Sequence, residues 1–401
     1  MKSNWETRPL GELVKFSSGG TPSKKNPEYW NGTIPWISAK TMKDERISTS
    51  DLMITEDGLA SGSKLAPIGS LLLLTRGSGL FNGIPLCIVE QPVAFNQDVK
   101  CIESYTDVSN QFIFYWLKSQ EQYLKAKLEV TGIGAGKFDT KFLQELNVPV
   151  PPKEERDKIV AIAESLSKRI IVNAKINDNL QRQAQAMFSA WLATHAPIAD
   201  EVTLGSICHK VTDGSHFSPK DEPSAKIPML SVKDMEEFDF SLTSCKHITV
   251  EDYQKMVAND CVPQVDDILV AKDGSYLKEI FICNEQRELA ILSSIAIFRP
   301  DTSKIYPEIL LAFLKSPRVL QEVRDNYVSG SALPRIVLKD FKKLQFLLPN
   351  LEVQREIAPL LASIRSQIAV NVAENQRLSQ LRDALLPKLM SGEINVASIQ
   401  T

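Results

Sequence analysis

The chain has no long hydrophobic run. No segment approaches the length needed to span a membrane, and the opening residues Met1–Glu6 contain no apolar stretch of the kind found in a signal peptide. The six cysteines are scattered without a CxxC pair, which is typical of free thiols in a reducing compartment and not of a disulfide framework. We therefore expect a cytoplasmic protein.

The sequence also lacks the groups of residues that catalysis needs. It has only four histidines, and the neighbouring Cys208 and His209 do not have the spacing of metal ligands. The segment Thr131–Lys137 resembles a phosphate-binding loop, but it has threonine at the first glycine position and Phe138 after the lysine. No Asn-Pro-Pro-aromatic or Asp-Pro-Pro-aromatic tetrapeptide of an amino-methyltransferase occurs. We expect no catalytic residue, metal or cofactor in this chain.

An excess of positive charge is absent as well. The net charge is −3 over 401 residues, whereas a DNA-binding domain that acts alone is usually basic. If the chain binds DNA, its basic surface must be local, or partners must supply part of it. The hydrophobic content of 43% and charged content of 24% are ordinary for a globular protein, and the length allows two to three domains.

The most informative feature that is present is an internal duplication. Residues Val130–Ile159 match Val328–Ile357 without a gap, each passing from a glycine-containing loop through an apolar segment to proline and a charged helix start. Earlier segments match less tightly, namely Ile34–Met42 with Ile227–Met235 and Leu71–Ser78 with Ile268–Ser275. The repeat is too long for a solenoid and predicts two similar domains related by an approximate two-fold. Because the framework repeats while the residues between differ, we expect one fold with two specificities.

Short apolar runs separated by turn signals predict a mixed α+β domain in each half. In the first half we expect strands at Leu71–Leu74 and Ile84–Val89 and a helix from Gln111 to Lys127. In the second half we expect strands at Ile268–Ala271, Ile280–Cys283 and Ala290–Phe298 and a helix at Glu308–Tyr327.

A heptad pattern follows the prolines Pro151, Pro152 and Pro349, where a helix can begin. The predicted seam residues are Ile159, Leu166, Ile170, Asn173, Asn177, Leu180, Ile357, Ile364, Ile368, Asn371, Asn375 and Leu378. Each seam is roughly 43 Å long at about 1.5 Å per residue. Two such helices pack most simply on each other in antiparallel orientation. The seam asparagines would then fix the register at a cost in stability; alternatively, the helices rotate and expose them.

In this order and spacing, the motifs resemble the specificity subunit of a type I restriction-modification system. The helix entries Pro151–Ile159 and Pro349–Ile357, the ending Leu385–Ile394 and the opening Trp5–Leu13 are similar to conserved segments of that family. The chain departs from the family at Arg156, where glutamine is more usual, as at Gln354. We interpret this position as structural.

The resemblance implies an α+β fold with two similar target-recognition domains separated by a pair of long antiparallel coiled-coil helices, in a pseudo-two-fold internal repeat. The expected segments are a first recognition domain at 1–150, a first spacer helix at 151–196, a second recognition domain at 197–348, and a second spacer helix with a C-terminal tail at 349–401.

The resemblance also implies a function. Each recognition domain would bind one half of a gapped, bipartite double-stranded DNA site, and the helices would set the spacing, since the seam is comparable to one DNA turn of about 34–36 Å. Two methyltransferase subunits would dock on the helices, flip an adenine in each half-site and methylate it. Restriction subunits would join the complex, and S-adenosylmethionine, ATP and magnesium would be bound by these partners.

Candidate DNA-binding residues are basic and polar residues in loops at matched positions of the two halves. Arg76 and Lys272 lie at neighbouring repeat positions at the end of a buried strand, from which a long side chain can contact a guanine edge or a phosphate. Lys137 and Arg335 lie at the ends of glycine-containing loops. Either these loops are flexible and place the two basic side chains against a phosphate, or they are plain connecting turns. For each residue the alternative is a solvated surface charge. The candidates are Lys24, Lys25, Lys40, Lys43, Arg76, Ser78, Asn82 and Lys137, and Ser275, Tyr276, His216, Lys220, Lys233, Lys272, Lys278 and Arg335.

Three other hypotheses stay open at this point. The chain could serve a fused methyltransferase-nuclease instead of separate subunits. It could be a scaffold whose helices bind other coiled coils and whose globular domains bind protein, although basic residues at matched loop positions argue against this. An independent enzyme is disfavoured by the missing catalytic residues.

Overall fold

The computed structural model describes residues 5–132, 134–243, 245–274, 277–329 and 335–396. These residues form two compact units, the first within 1–169 and 377–401 and the second within 170–376. The division falls inside two long helices, Lys153–His195 and Leu351–Met390. The units therefore follow a different division from the four expected segments, whose boundaries stay a prediction. No helix of the described residues is long and apolar enough to cross a membrane.

The first unit is built on a five-stranded sheet in which buried Leu71–Leu74 lies between Val99–Ser104 and Leu86–Val89. Its strands are Glu6–Pro9, Val14–Ser18, Trp30–Ile37, Arg46–Ile47, Met53–Ile54, Lys64–Ala66, Leu71–Leu74, Arg76–Gly77, Leu86–Val89, Val93–Phe95, Val99–Ser104, Glu129–Val130, Gly136–Lys137 and Asn147–Val150. Its shorter helices are Leu10–Glu12, Pro27–Tyr29, Glu56–Ala60, Ser78–Phe81, Asn110–Ser119, Glu121–Ala126 and Thr140–Gln144.

The second unit repeats this arrangement with a four-stranded sheet centred on Ile268–Ala271 and Ile295–Pro300. Its strands are Asp200–Thr203, Cys208–Asp213, Ile227–Leu230, Lys246–Ile248, Ile268–Ala271, Ile280–Ile282, Ala290–Ile291, Ile295–Pro300, Val328–Ser329, Arg335–Ile336 and Gln345–Leu348. Its shorter helices are Ala196–Ile198, Leu204–Ser206, Val232–Asp234, Val250–Ala258, Pro307–Leu314, Pro317–Asn326 and Leu338–Phe341.

The pairing of the strands shows the duplication directly. Each unit contains an equivalent parallel strand pair, Trp30–Ile37 with Val93–Phe95 in the first and Ile227–Leu230 with Ala290–Ile291 in the second. Each unit also pairs its first strand antiparallel with the strand that precedes a long helix. The prediction of two similar α+β domains is confirmed.

The predicted strands at Leu71–Leu74 and Ile268–Ala271 are confirmed, and all their residues are buried. The prediction of one strand at Ala290–Phe298 was wrong, because Ala290–Ile291 and Ile295–Pro300 belong to different sheets. The polar Ser293 and Ser294 lie in the turn between them.

Each expected helix after the sheet is in fact two helices. The first half has a break at Gln120, which ends Asn110–Ser119 and precedes Glu121–Ala126. In the second half the break is at Ser316, whose hydroxyl accepts a hydrogen bond from the Val319 N–H at 3.4 Å and caps the helix that Pro317 begins.

In the second unit the two long helices pack antiparallel through their asparagines. Asn371 Nδ2 donates to Asn177 Oδ1 at 2.7 Å, and Asn173 Nδ2 donates to Asn375 Oδ1 at 2.9 Å, so rising numbers on one helix meet falling numbers on the other. Three of these asparagines are buried and Asn375 is half-buried. The other predicted seam residues are buried or half-buried on their helices. Their role in fixing the register stays a prediction.

Equivalent buried polar residues anchor the starts of the long helices. In the first unit the Arg156 guanidinium donates to the Pro151 carbonyl at 3.0 Å and to the Asp107 carboxylate. In the second unit Gln354 Nε2 donates to the carbonyls of Pro349 and Lys304 at 2.8 and 2.9 Å, and the side-chain oxygen accepts from the Tyr306 N–H at 3.2 Å. The departure at Arg156 therefore keeps the same contact to the proline carbonyl with a different side chain.

Candidate nucleic-acid interface

One edge of the first unit collects the loops that carry most of its candidate residues. We call this the first loop edge: the loops that follow strands Val14–Ser18, Trp30–Ile37 and Leu71–Leu74, together with the strand Gly136–Lys137. Backbone hydrogen bonds connect the three loops to the segment 95–98, from Gly20 N to Phe95 O (2.9 Å), Asn96 N to Ile37 O (3.0 Å) and Thr75 N to Asp98 O (2.8 Å). A fourth bond, from Phe138 N to Thr75 O (2.9 Å), connects the strand Gly136–Lys137 to the loop after Leu71–Leu74.

The second unit has the same arrangement, the second loop edge, formed by the loops that follow Cys208–Asp213, Ile227–Leu230 and Ile268–Ala271 and by the strand Arg335–Ile336. The corresponding bonds run from Ser215 N to Ile291 O (2.8 Å), Leu292 N to Leu230 O (2.8 Å), Lys272 N to Ser294 O (2.9 Å) and Ile336 N to Lys272 O (3.0 Å). The two edges thus have the same pattern of backbone hydrogen bonds.

Glycines make this close backbone approach possible. A Cβ on Gly19 would lie 1.9 Å from the Phe95 carbonyl oxygen, and a Cβ on Gly214 would lie 2.3 Å from the Ile291 carbonyl oxygen. Gly77 and Gly274, which follow the buried strands, have φ values of +139° and +69°, a backbone region that glycine adopts without steric cost. Steric constraints therefore fix the same two positions in each edge.

The charges of the two edges differ. At the first edge Arg76 lies directly opposite Lys137 in an antiparallel strand pair, and neither side chain forms an ion pair with a described residue. Like charges placed opposite each other destabilise a strand pair unless an anion lies between them. Ser78 and Asn82 are exposed in the 3₁₀ turn that follows. The sequence analysis named Arg76 and Lys137 as separate candidates, and the structure brings them together on paired strands.

At the second edge the equivalent of Arg76 is Asp273, which forms an antiparallel bridge with Arg335. Lys272, the residue that we expected to extend outward, is instead buried, and its ammonium lies 2.5 Å from Asp213 Oδ2. His216 Nε2 lies 3.3 Å from the other oxygen of Asp213. Among the described residues, Lys272 of the second edge is therefore paired with a carboxylate, whereas Arg76 and Lys137 of the first edge are not.

The remaining candidates lie on exposed loops or turns. Lys24 and Lys25 precede the Pro27–Tyr29 turn, and Lys40 and Lys43 follow the strand that ends at Ile37. In the second unit Lys220 and Lys233 are exposed, while Lys278 pairs with Glu279 at 2.6 Å. Ser275 and Tyr276 lie outside the described residues, as do parts of both glycine-containing loops.

Sequence reasoning missed Asp273 as a candidate. The match of Leu71–Ser78 with Ile268–Ser275 places Asp273 against Arg76, but the search for basic residues selected the neighbouring Lys272. Comparing the repeats position by position, without regard to charge, would have identified it.

Metal ligands and reactive thiols were the remaining candidate groups among the described residues. No group of three or more His, Cys, Asp or Glu side chains among them could hold a metal ion. The six cysteines are free, and burial raises the pKa of both the Cys87 and Cys208 thiols to about 12. A thiol with so high a pKa is not a nucleophile at neutral pH.

Curated relatives are specificity subunits of type I restriction enzymes. The MjaIX specificity subunit of Methanocaldococcus jannaschii is 25% identical over 99% of this chain and 95% of its own length. The EcoR124I/EcoR124II specificity subunit of Escherichia coli is 33% identical over 45% of this chain and 44% of its own length. A crystal structure of the S subunit of a type-I restriction-modification system from M. genitalium is 17% identical, covers 97% of this chain and 98% of that chain, and gives a TM-score of 0.49.

A family model matches the chain twice, once on each half of the duplication. The matched residues are 2–182 and 199–380. Each match contains one loop edge together with most of the long helix that follows it. The chain therefore belongs to the family of the type I restriction modification DNA specificity domain.

Proposed function

We propose that this chain is the DNA specificity subunit of a type I restriction-modification complex, and that each loop edge recognises one half of a gapped, bipartite site in double-stranded DNA. Membership of the family supports the general role. The repetition of one loop-bearing backbone with different side chains supports two different half-sites.

The observation that carries the proposal is the juxtaposition of Arg76 and Lys137. Two exposed or half-exposed cations on facing strands, with no carboxylate partner among the described residues, make a favourable site for the anionic DNA backbone. Arginine at a strand exit can also form the bidentate contact to guanine that is common in specific complexes. The exposed lysines of the neighbouring loops would add contacts to phosphates.

The long helices would hold the methyltransferase subunits and set the spacing of the half-sites. Within the second unit Val172 and Val370 occupy equivalent positions on the two helices, and both side chains are exposed, at 46% and 60%. An apolar residue at the same exposed position of both repeats fits two copies of one partner. Adenine methylation, ATP hydrolysis and cleavage would then belong to partner subunits, which bind S-adenosylmethionine, ATP and magnesium, and this chain would be non-catalytic.

The test is co-expression of the chain with its methyltransferase subunit in a host that lacks other adenine methylation, followed by mapping of methylated adenines. We expect one gapped, two-part motif with a modified adenine in each part. A stable complex that methylates no DNA, and does not bind DNA fragments containing random sequence, would favour the scaffold hypothesis. Methylation with a fused methyltransferase-nuclease as the sole partner would keep the DNA role and change the assembly.

A further inference from the structure

Arg76 and Asp273 occupy the same position in the two repeats and have opposite hydrogen-bonding character. Each residue follows a fully buried strand, precedes a glycine with positive φ, and faces a basic residue on a neighbouring strand, Lys137 or Arg335. An arginine side chain only donates hydrogen bonds, whereas an ionised aspartate only accepts them. The same backbone thus presents a donor at one edge and an acceptor at the other.

The backbone of Asp273 is fixed, while its carboxylate accepts no hydrogen bond from the described residues of its unit. Its backbone N–H donates to the Ser294 carbonyl at 3.3 Å, which fixes the residue at the edge. The nearest cation is Lys272 at 4.0 Å, and that ammonium is already bonded to Asp213 at 2.5 Å. Among the described residues no group donates a hydrogen bond to Asp273 Oδ1, although this oxygen is buried. The Asp273 side chain as a whole is 25% exposed, so an external donor can approach the carboxylate, and an acceptor without an internal donor favours such a partner.

DNA offers few groups that a carboxylate can contact. Phosphates repel it, and most base edges present acceptors of their own. The exceptions in the major groove are the exocyclic amino groups, N4 of cytosine and N6 of adenine, which donate hydrogen bonds. Lys272 and Arg335, next to Asp273, offset its repulsion from nearby phosphates.

We propose that Asp273 is a specificity-determining residue that accepts a hydrogen bond from an exocyclic amino group of cytosine or adenine in the second half-site, at the position where Arg76 donates to a guanine in the first. This inference rests on the proposed function of the chain. It explains why the second edge places a negative charge where the first places a positive one.

The experiment compares methylation motifs of complexes that contain the full-length wild-type chain, Asp273→Asn or Asp200→Asn. Asp200 is the matched control, because it is an exposed aspartate of the same unit in strand Asp200–Thr203, which is not part of the second loop edge. We expect Asp273→Asn to lose about ten- to hundred-fold discrimination at one base of one half of the motif. Arg76→Ala should relax a base in the other half, and Asp200→Asn should change neither.

An unchanged motif with Asp273→Asn, or relaxation in the same half as with Arg76→Ala, would overturn the inference while leaving the proposed function intact. Failure of the wild-type complex to methylate any bipartite motif would overturn the proposed function, and the inference with it. If Asp273→Asn does not assemble, Asp273→Glu keeps the acceptor and is expected to preserve the motif at a lower rate. Loss of assembly with both variants would show that Asp273 is structural and would also overturn the inference.

Discussion

The two loop edges share a backbone and differ in their charges. The positions that are kept are those that steric constraints fix, such as Gly19 and Gly214, where any side chain would collide with a facing carbonyl. The positions that change are side chains at the surface, where Arg76 in one unit is replaced by Asp273 in the other. The comparison teaches that the fold determines where the loops lie, while a few side chains give each edge its chemical character.

Arg156 and Gln354, which anchor the starts of the long helices, are also different side chains at equivalent positions of the backbone. Their substitution should give the largest change in the free energy of unfolding. Gln354→Ala removes three hydrogen bonds, to Tyr306, Lys304 and Pro349. Because each unpaired buried group costs about 1–3 kcal/mol, the second unit should lose on the order of 3 kcal/mol in its free energy of unfolding. Arg156→Ala should cost the first unit less, since the Asp107 carboxylate is exposed to water.

Hydrogen exchange of the intact chain, followed by mass spectrometry, measures the two units separately. Arg355→Ala is the control, because this exposed arginine lies next to Gln354 on the same helix. A larger loss of protection in the first unit with Arg156→Ala than in the second with Gln354→Ala would reverse the predicted order.

Substitution of the asparagines in the seam of the long helices should give the next largest change in stability. Asn371→Leu deprives Asn177 of its 2.7 Å hydrogen bond and leaves a buried amide unpaired, at a cost of about 1–3 kcal/mol. The double variant Asn177→Leu/Asn371→Leu replaces both partners, and it should be as stable as the wild type or more so. Melting temperatures of the two variants provide the measurement. A double variant that is no more stable than Asn371→Leu would contradict the idea that the asparagines serve register and not stability.

The salt dependence of DNA binding tests the charge difference between the edges. Arg76→Ala removes a cation that no described residue neutralises, so the slope of log affinity against log salt should fall by about 0.9, and methylation should weaken while assembly stays intact. Arg335→Ala should change the slope less, because Asp273 lies opposite that residue. The reconstituted complex is titrated with DNA at several salt concentrations, with exposed Arg318→Ala as the control. An unchanged methylation rate would remove Arg76 from the interface.

Much of the fold could be predicted because its signals are local. Four consecutive leucines at Leu71–Leu74 predict a buried element. The prolines before the long helices are tolerated at a helix start but would interrupt a helix that continued through them, so they mark where these helices begin. Pro317 is a possible helix start in the sequence, but we expected one continuous helix over Glu308–Tyr327. The split of Ala290–Phe298 between two sheets depends on non-local strand pairing, which periodicity does not report.

The candidate interface was only partly predictable, because it also depends on contacts between residues that are distant in the sequence. Arg76 and Lys137 are 61 positions apart in the sequence and meet through a strand pair whose register no local pattern contains. Lys272 looked like an exposed cation, but it is buried because Asp213, on the edge strand of the same sheet, neutralises it. Charge at a loop position predicts contact with DNA only after intramolecular partners are known.

The smallest expected effect is a pH dependence of stability. It distinguishes the helix start held by Arg156 from the one held by Gln354. The Arg156 guanidinium lowers the pKa of the Asp107 carboxyl below its usual range, so this ion pair stabilises the first unit at neutral pH and is lost as the pH falls through the lowered pKa. Gln354, its equivalent, does not titrate. Asp107→Asn should therefore weaken protection of the Lys153 helix start slightly at pH 7, and wild type and variant should converge in strong acid. Hydrogen exchange of peptides around residues 104–112 and 151–160 measures the difference. A gap between the two proteins that stays constant below the lowered pKa would show that the carboxylate charge does not support this anchor.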